Sequence, residues 1–266
     1  MNDRASTDLA PFVRREVDPR GVVTLTLDRP QAFNALSEGM LAALQAELDA
    51  IAADETVRAV VIAAGGKVFS AGHDLKEMRA KASQAYYEDL FARCARVMLT
   101  LQKLAVPVIA RVQGIATAAG CQLVAACDLA VAAKEARFAV SGVNLGLFCS
   151  SPSVALSRNV GRKAAFEMLV TGEFISADEA RERGLVNRVV AADALDAEIE
   201  TIVAAIVAKP RVAIALGKQL FYRQIETGTA AAYEDAGRTM ACNMMEPATL
   251  EGVQAFIEKR KPDWPA

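Results

Sequence analysis

Two short stretches of small residues carry the clearest chemical signal in the sequence. Residues 117–120 read TAAG and begin a predicted helix, and residues 70–72 read SAG and follow a predicted buried strand. Small residues let a backbone approach a ligand closely, and the free N–H groups at a helix start form a partly positive site. Two such turns facing each other would offer two N–H donors to one carbonyl oxygen, an oxyanion hole worth about 3–4 kcal/mol per donor. The alternative is that both are ordinary tight turns whose small residues serve packing.

One titratable side chain stands beside these turns. His73 is the only histidine of the chain and directly follows the SAG stretch. Any catalysis by a histidine must therefore use His73. An imidazole suits proton transfer near neutral pH, because its unperturbed pKa is about 6.5. The alternative is that its ring packs in the loop or forms a hydrogen bond, for example to Asp74. A single histidine excludes a three-histidine zinc site, and Cys/His zinc spacing is absent, so we expect no metal.

Composition narrows the class of protein. The chain has 266 residues, of which 53% are apolar, and a net charge of −2, which gives no reason to expect nucleic acid as a partner. No apolar run reaches the length of about 18 residues that a membrane span needs. Five cysteines without a CxxC pair indicate free thiols in a reducing compartment. The first 12 residues lack the features of a secretion signal or a transit peptide, so we expect a short tail on a cytoplasmic protein.

The elements that must position the turns alternate between strand and helix. Residues 21–28 alternate apolar and polar like a half-buried strand, and residues 58–63 form a continuous apolar run like a strand covered on both faces. Ser37 can cap a helix between them, and the alternation continues to residue 133, which predicts parallel βαβ units. Helical patterns dominate after residue 151. We therefore expect an α/β core over residues 1–190 that holds the site and a helical C-terminal region over residues 191–266.

Five stretches resemble signatures of one known family, in that family's order. They are LDRPQAFNAL at 27–36, FSAGHDLKEM at 69–78, AAGCQLVAACDLAVA at 118–132, TGEFISADEARERGLVNRVV at 171–190 and AFIEKRKP at 255–262. The family is the crotonase (enoyl-CoA hydratase/isomerase) superfamily. The resemblance implies an α/β fold built as a spiral of ββα units with a helical C-terminal trimerisation region. It also implies a homotrimer or a dimer of trimers, and an acyl-CoA ligand. No separate cofactor is expected, because coenzyme A is part of the substrate.

The resemblance also implies a site. The thioester carbonyl oxygen would lie between the backbone N–H groups of His73 and Ala119, and Lys259 would reach the nucleotide end of coenzyme A. The alternative for Lys259 is a solvated charge near the C-terminus. The other positions that match the substrate and coenzyme A groove are Ala32, Ser70, Asp74, Leu75, Lys76, Ala118, Ser141 and Leu145.

Two expected acids are absent from that site. Addition of water to an enoyl thioester needs one carboxyl group to activate water and one to protonate the α-carbon. By resemblance both are Glu in the hydratases, and here the two positions hold Gln122 and Gly142. An amide neither gains nor loses a proton near neutral pH, and glycine supplies no group at all. Efficient hydration of a 2-enoyl-CoA is therefore doubtful.

Two functional interpretations remain open. The first is an enoyl-CoA hydratase/isomerase-family lyase with atypical or weak activity that stabilises a thioester enolate. The second is a non-catalytic protein that binds acyl-CoA for sensing or assembly. A serine peptidase of the related Clp type is set aside, because that family carries a serine where this chain has Ala118 and Ala119.

Overall fold

The structure, a computed structural model, describes residues 11–264. The strands of this part of the chain are β1 (Val13–Val17), β2 (Val22–Leu27), β3 (Ala59–Ala64), β4 (Val68–Ser70), β5 (Val108–Val112), β6 (Ile115–Thr117), β7 (Leu129–Ala133), β8 (Arg137–Ala139), β9 (Ile175–Ser176) and β10 (Arg188–Val190). They form a six-stranded sheet in the order β1-β2-β3-β5-β7-β10 and a four-stranded sheet in the order β4-β6-β8-β9. Pairing is parallel from β2 through β10 in the larger sheet, and antiparallel between β1 and β2.

The helices complete the repeating unit. They are α1 (Glu38–Ala52), α2 (Leu75–Ala80), α3 (Gln84–Lys103), α4 (Ala119–Ala126), α5 (Ser150–Asn159), α6 (Arg162–Thr171), α7 (Ala177–Glu182), α8 (Leu195–Val207), α9 (Arg211–Gln224), α10 (Thr229–Met244) and α11 (Pro247–Ile257). The strand pairs β3/β4, β5/β6 and β7/β8 each place one strand in each sheet before the chain enters a helix. The spiral of ββα units and the α/β class are therefore confirmed.

The larger sheet is buried on both faces, as the apolar run in β3 predicts. Side chains of a strand point alternately to opposite faces. Val60 and Ile62 accordingly join the core formed with α1 and α3, whereas Ala59 and Val61 join a second core formed with α8. Burial of a residue as large as Ile contributes about 1.5–3 kcal/mol, so these two apolar layers hold the sheet in place.

Local sequence signals account for several helix starts. Ser37 caps α1, as predicted, by accepting a hydrogen bond from the backbone N–H of Met40. Ser176 forms a capping box with Glu179 at the start of α7. The strands of the smaller sheet are not predicted by the sequence pattern. They are two or three residues long, too short to show a period, and their partners are far along the chain.

A buried ion pair joins the C-terminal helices to the core. Lys218 of α9 is 8% exposed, and its Nζ donates to Asp128 at 2.6 Å and to the carbonyls of Leu101 and Val106. Tyr222 donates to the second carboxylate oxygen of Asp128 at 2.7 Å. Asp128 closely follows the end of α4, so α9 is tied to the helix that begins at the TAAG turn.

Three further observations bear on the expectations from sequence. Of the 12 residues of the predicted N-terminal tail, residues 1–10 lie outside the described residues. No helix within residues 11–264 is long and apolar enough to cross a bilayer. Within the same range, no three metal-binding side chains of the His, Cys, Asp or Glu type lie together.

Candidate functional site at the two small-residue turns

Asn34 organises the segment that supports the SAG turn. Its side-chain amide donates to the carbonyls of Gly65 and Val68, at 2.9 and 2.8 Å, and its Oδ1 accepts from the backbone N–H of Arg29. Asn34 has a positive φ of 51°, a conformation that asparagine tolerates better than most residues. Asn34 is a functional-site residue that the small-residue pattern does not indicate, although an asparagine close to a Pro-containing turn is a known turn signal.

The SAG turn is held from inside by Ser70. The Ser70 hydroxyl is fully buried, donates to the carbonyl of Asn34 at 2.9 Å and accepts from the N–H of Gly72 at 3.3 Å. Backbone hydrogen bonds from Ala71 to Phe33 and from Leu36 to Gly72 add to this. The Ser70 side chain therefore positions the turn and does not face a ligand.

The two turns are in direct contact. A Cβ built on Gly72, whose φ is +88°, would lie 2.9 Å from the Cβ of Ala118 and 3.1 Å from the backbone nitrogen of Ala119. A Cβ built on Gly120 would lie 2.3 Å from the carbonyl oxygen of Ser70. Only glycine fits at either position, because any side chain would push the turns apart.

Ala119 is the first residue of α4, so its N–H has no partner inside the helix. Ala118 precedes it with φ 50° and ψ −121°, a conformation that costs a non-glycine residue about 1–3 kcal/mol. The N–H of His73 is also unoccupied. No hydrogen bond within residues 11–264 uses either donor.

One ring nitrogen of His73 is engaged by the backbone. Its Nδ1 lies 3.2 Å from the carbonyl oxygen of Leu36, so Nδ1–H donates there, and its ring packs against Phe91 with centroids 5.5 Å apart. Burial lowers the pKa of His73 below its ordinary value, and the hydrogen bond to Leu36 offsets this only in part. The imidazole is therefore neutral at pH 7.

Gln122 is buried within α4, with 4% exposure. Its Oε1 accepts a weak hydrogen bond from the Cys94 thiol at 3.9 Å. Cys94 lies three residues after Phe91 on α3, so Gln122 and His73 contact the same side of that helix within one turn. The position holds a neutral amide close to the turns.

Gly142 lies in a short 3-10 segment, Ser141–Leu145, at a position where no side chain fits. A Cβ built there would lie 2.4 Å from the carbonyl oxygen of Leu147 and 2.7 Å from the sulfur of Cys149. The backbone is also engaged, since Gly142 N–H donates to the Cys149 sulfur at 3.3 Å and Leu147 N–H donates to the Gly142 carbonyl at 3.0 Å. Addition of a carboxylate side chain here requires the loop to move.

Several predicted groove residues begin α2, directly after His73. Asp74 caps that helix by accepting from the N–H groups of Lys76 and Glu77, at 2.8 and 3.2 Å, so its carboxylate already has a structural task. Leu75 and Lys76 are exposed on the first turn. Ala32 is exposed in the turn that leads into the segment supporting residues 70–72.

The remaining predicted residues lie on other elements. Ser141 follows β8, and its hydroxyl lies 2.8 Å from that of Thr117, for which the sequence pattern predicts no side-chain role. Leu145 is exposed at the end of the 3-10 segment, and Lys259 is exposed after α11. The groove roles of Leu145 and Lys259 stay predictions.

Comparison with known proteins identifies the family. The model of the enoyl-CoA hydratase/isomerase family matches residues 18–266. The chain therefore belongs to this family, as its motifs predict. Membership supports a hydratase- or lyase-type enzyme in the broad sense and is consistent with binding of an acyl-CoA.

Individual relatives show which members of the family the chain is similar to. Mouse mitochondrial enoyl-CoA hydratase domain-containing protein 3 is 46% identical over 260 residues, covering 98% of this chain and 87% of the mouse protein. The crystal structure of the human protein of that name superposes with a TM-score of 0.92 at 43% identity, covering 95% and 100% of the two chains. A crystal structure of an enoyl-CoA hydratase from Mycobacterium smegmatis gives a TM-score of 0.95 at 72% identity, covering 96% and 99%. A particular similarity to enoyl-CoA hydratase domain-containing protein 3 is also what the stretches GHDL, AAGCQLVA, GVNLGLFCS and KRKPDW predict, and the comparison confirms it.

One prediction is wrong. The similar curated proteins from frog, mouse, rat, human and zebrafish are all named mitochondrial, which contradicts the predicted cytoplasmic location. The prediction rested on free cysteines and on the N-terminal composition. Free cysteines separate reducing from oxidising compartments but do not distinguish one reducing compartment from another.

Proposed function

We propose that the chain binds an acyl-CoA with the thioester oxygen between the backbone N–H groups of His73 and Ala119. The contact between the two turns, with both donors unoccupied, is the observation that carries the proposal. Two donors on one oxygen stabilise the negative charge that develops when the thioester becomes an enolate. Because both donors belong to the backbone, the identity of the two side chains matters little.

Coenzyme A would lie along the groove formed by the start of α2 and the turn at Ala32, with Lys259 at the nucleotide end. The exposed Leu75 and Lys76 suit this role, whereas Asp74 and Ser70 act by fixing the local backbone. The groove would be completed in a homotrimer or a dimer of trimers. No cofactor separate from the substrate is required.

Efficient hydration of a 2-enoyl-CoA is not expected of this site. Each acid or base contributes about 10²–10⁴-fold to such a reaction, and here Gln122 and Gly142 supply neither. The Nδ1 of His73 donates to the Leu36 carbonyl, so only Nε2 of this neutral ring could take up a proton. The closed environment of Gly142 means that a carboxylate cannot be restored there by one substitution, because the carbonyl of Leu147 occupies the space.

Gln122 and Gly142, which stand at the two acid positions, favour a second candidate function. A site that keeps the carbonyl-binding turns and lacks both acids suits a non-catalytic protein that binds acyl-CoA. Calorimetric titration with coenzyme A, butyryl-CoA and crotonyl-CoA, followed by product analysis of each mixture, separates the candidates. Binding with conversion supports the weak enzyme, and binding without conversion across a wider panel of thioesters supports the binding protein. If butyryl-CoA binds no more tightly than coenzyme A itself, the proposed role of the turns is wrong.

A further inference from the structure

A side-chain amide connects the two strands that lead into the SAG and TAAG turns. Gln113 is partly buried and lies between β5 and β6. Its Nε2 donates to the carbonyl oxygens of Ala64 and Gly66, at 2.9 and 3.1 Å, and the carbonyl oxygen of Val68 lies 3.4 Å away. These carbonyls belong to the end of β3, the loop after it and the start of β4. Gln113 therefore joins the start of β6, which ends in the TAAG turn, to the start of β4, which ends in the SAG turn.

The backbone pairing of β4 with β6 fixes their relative position only weakly. Each strand has three residues, and the register shifts within the pair, because Val68 pairs with Ile115 whereas Ser70 pairs with Ala116. A bulge of this kind disrupts the hydrogen-bond ladder, and a slip by one residue moves a strand by about 3.3 Å. Contacts outside the ladder must therefore set the position of the two strands.

The backbone beside Gln113 is pressed against the same loop. A Cβ built on Gly114 would lie 1.9 Å from the carbonyl oxygen of Lys67, so only glycine allows this approach. Asn34 donates to the carbonyls of Gly65 and Val68. Two side-chain amides therefore hold the loop between β3 and β4, and only Gln113 belongs to the segment that continues into β6.

The hydrogen bonds of Gln113 carry more weight than its bulk. Its Oε1 is buried and has no hydrogen-bond partner within residues 11–264. A buried acceptor in this state costs about 1–3 kcal/mol. A methionine would fill nearly the same volume without that cost, so the N–H donors are what the amide contributes at this position.

We propose that Gln113 is a positioning residue that sets the spacing between the N–H groups of His73 and Ala119. This inference rests on the proposed binding of the thioester oxygen by these two donors. His73 follows β4 and Ala119 follows β6, so a displacement of one strand along the other changes the distance between the donors. A hydrogen bond needs a donor–acceptor distance of about 2.7–3.2 Å, so a displacement of about 1 Å leaves one donor out of reach of the oxygen.

Calorimetric titration of the full chain with butyryl-CoA and with S-butyl-CoA, a thioether that lacks the carbonyl, tests the proposal. The ratio of the two Kd values measures the contribution of the carbonyl oxygen. We expect it to exceed one in the wild type and to fall by about 2- to 13-fold, the equivalent of one neutral hydrogen bond, in Gln113→Met and Gln113→Glu. Both variants keep an unbranched side chain of similar length and lose the N–H donors, and their Kd for coenzyme A should stay unchanged.

Gln45→Met is the matched control. Gln45 on α1 also donates through Nε2, to Asp49 and Thr100, and its Oε1 is likewise buried without a partner in the described part of the chain. Loss of this amide lowers stability in a comparable way but lies outside the segments that lead to the turns. The control should therefore keep the wild-type ratio of Kd values.

An unchanged ratio in folded Gln113→Met would overturn the inference, as would an equal fall of the ratio in Gln45→Met. A thermal melt identifies folded variants, and Gln113→Glu decides the outcome if Gln113→Met does not fold. Failure of both to fold would show a purely structural role and would also overturn the inference. A wild-type ratio of one would instead overturn the proposed binding of the thioester oxygen, so the two failures are distinguishable.

Discussion

Removal of one backbone donor tests the proposed carbonyl site most directly. Ala119→Pro deletes a single N–H at the first position of α4, where proline is common because that N–H has no intrahelical partner. The first hydrogen bond of the helix runs from Gln122 N–H to the Ala118 carbonyl at 3.1 Å and is untouched. The helix therefore loses no backbone hydrogen bond, but proline disfavours the conformation of the preceding Ala118, φ 50° and ψ −121°, so a shift of that residue is part of the perturbation.

The expected effect differs between binding and chemistry. A neutral hydrogen bond to the thioester carbonyl is worth about 0.5–1.5 kcal/mol, so Kd for butyryl-CoA should rise by about 2- to 13-fold. Any turnover should fall by about 10²–10³-fold, because an oxyanion-hole donor matters more when charge develops on the oxygen. Coenzyme A without an acyl group has no thioester carbonyl, so its Kd should stay unchanged.

Calorimetry with both ligands measures these shifts, and a thermal melt checks that the variant is folded. Proline also adds bulk at position 119, so a second comparison uses only the wild type. S-Butyl-CoA, in which a CH₂ replaces the carbonyl, should bind more weakly than butyryl-CoA. Equal affinity for these two ligands, or an unchanged Kd for butyryl-CoA in folded Ala119→Pro, would refute the role of this amide.

Three further changes probe the packing around the site. Gly142→Ala should lower the free energy of unfolding by about 1–3 kcal/mol in urea titrations, because its Cβ meets a carbonyl oxygen at 2.4 Å; an unchanged value would mean that the loop yields easily. NMR titration of His73, the single histidine, should give a pKa below 6.5, because burial disfavours the imidazolium. The free energy of unfolding should then fall as the pH drops below about 6.5, because the unfolded chain takes up the proton first. A pKa at or above 6.5 would contradict the burial of the ring. Lys218→Ala should lower the free energy of unfolding by about 3–5 kcal/mol, because it leaves the Asp128 carboxylate buried without its counter-charge. The control Arg158→Ala, in an exposed pair, should lower it by less than about 1 kcal/mol. Similar losses in the two variants would indicate that the Asp128 pair is hydrated.

Local patterns in the sequence predict much of the larger sheet and its helices. The alternation in residues 21–28 corresponds to β2, although this strand is almost fully buried and not half-buried as predicted. The apolar run at 58–63 corresponds to β3, whose side chains pack into two separate cores. The two caps, Ser37 and Ser176, are also readable because capping depends on residues only three positions apart.

Features that depend on distant residues are not readable in this way. The pairing of Asp128 with Lys218 spans 90 positions, and nothing in either neighbourhood predicts it. The closure of Gly142 depends on the chain folding back so that Leu147 and Cys149 pack against it. Sequence alone shows that a carboxylate is absent at this position but not that the space for one is filled.

Among the site residues, too, local patterns are predictable from sequence, whereas contacts between distant residues are not. Small residues at 70–72 and 117–120 predict close backbone approach, and the turns are in contact. The hydroxyl of Ser70 supports the turn from within, an arrangement that needs the carbonyl of Asn34 at the correct distance. The same holds for Thr117, whose partner Ser141 is brought to it only by the pairing of β6 with β8.

The backbone of Ala118 has a consequence for how a ligand would meet this protein. A φ of 50° is unfavourable for alanine, so the surrounding folded structure must impose this conformation and, with it, the orientation of the next peptide unit. The conformational free energy of this backbone is spent during folding and does not recur when a ligand binds. We therefore expect the donor of Ala119 to be preorganised, so that ligands associate with little rearrangement of the main chain.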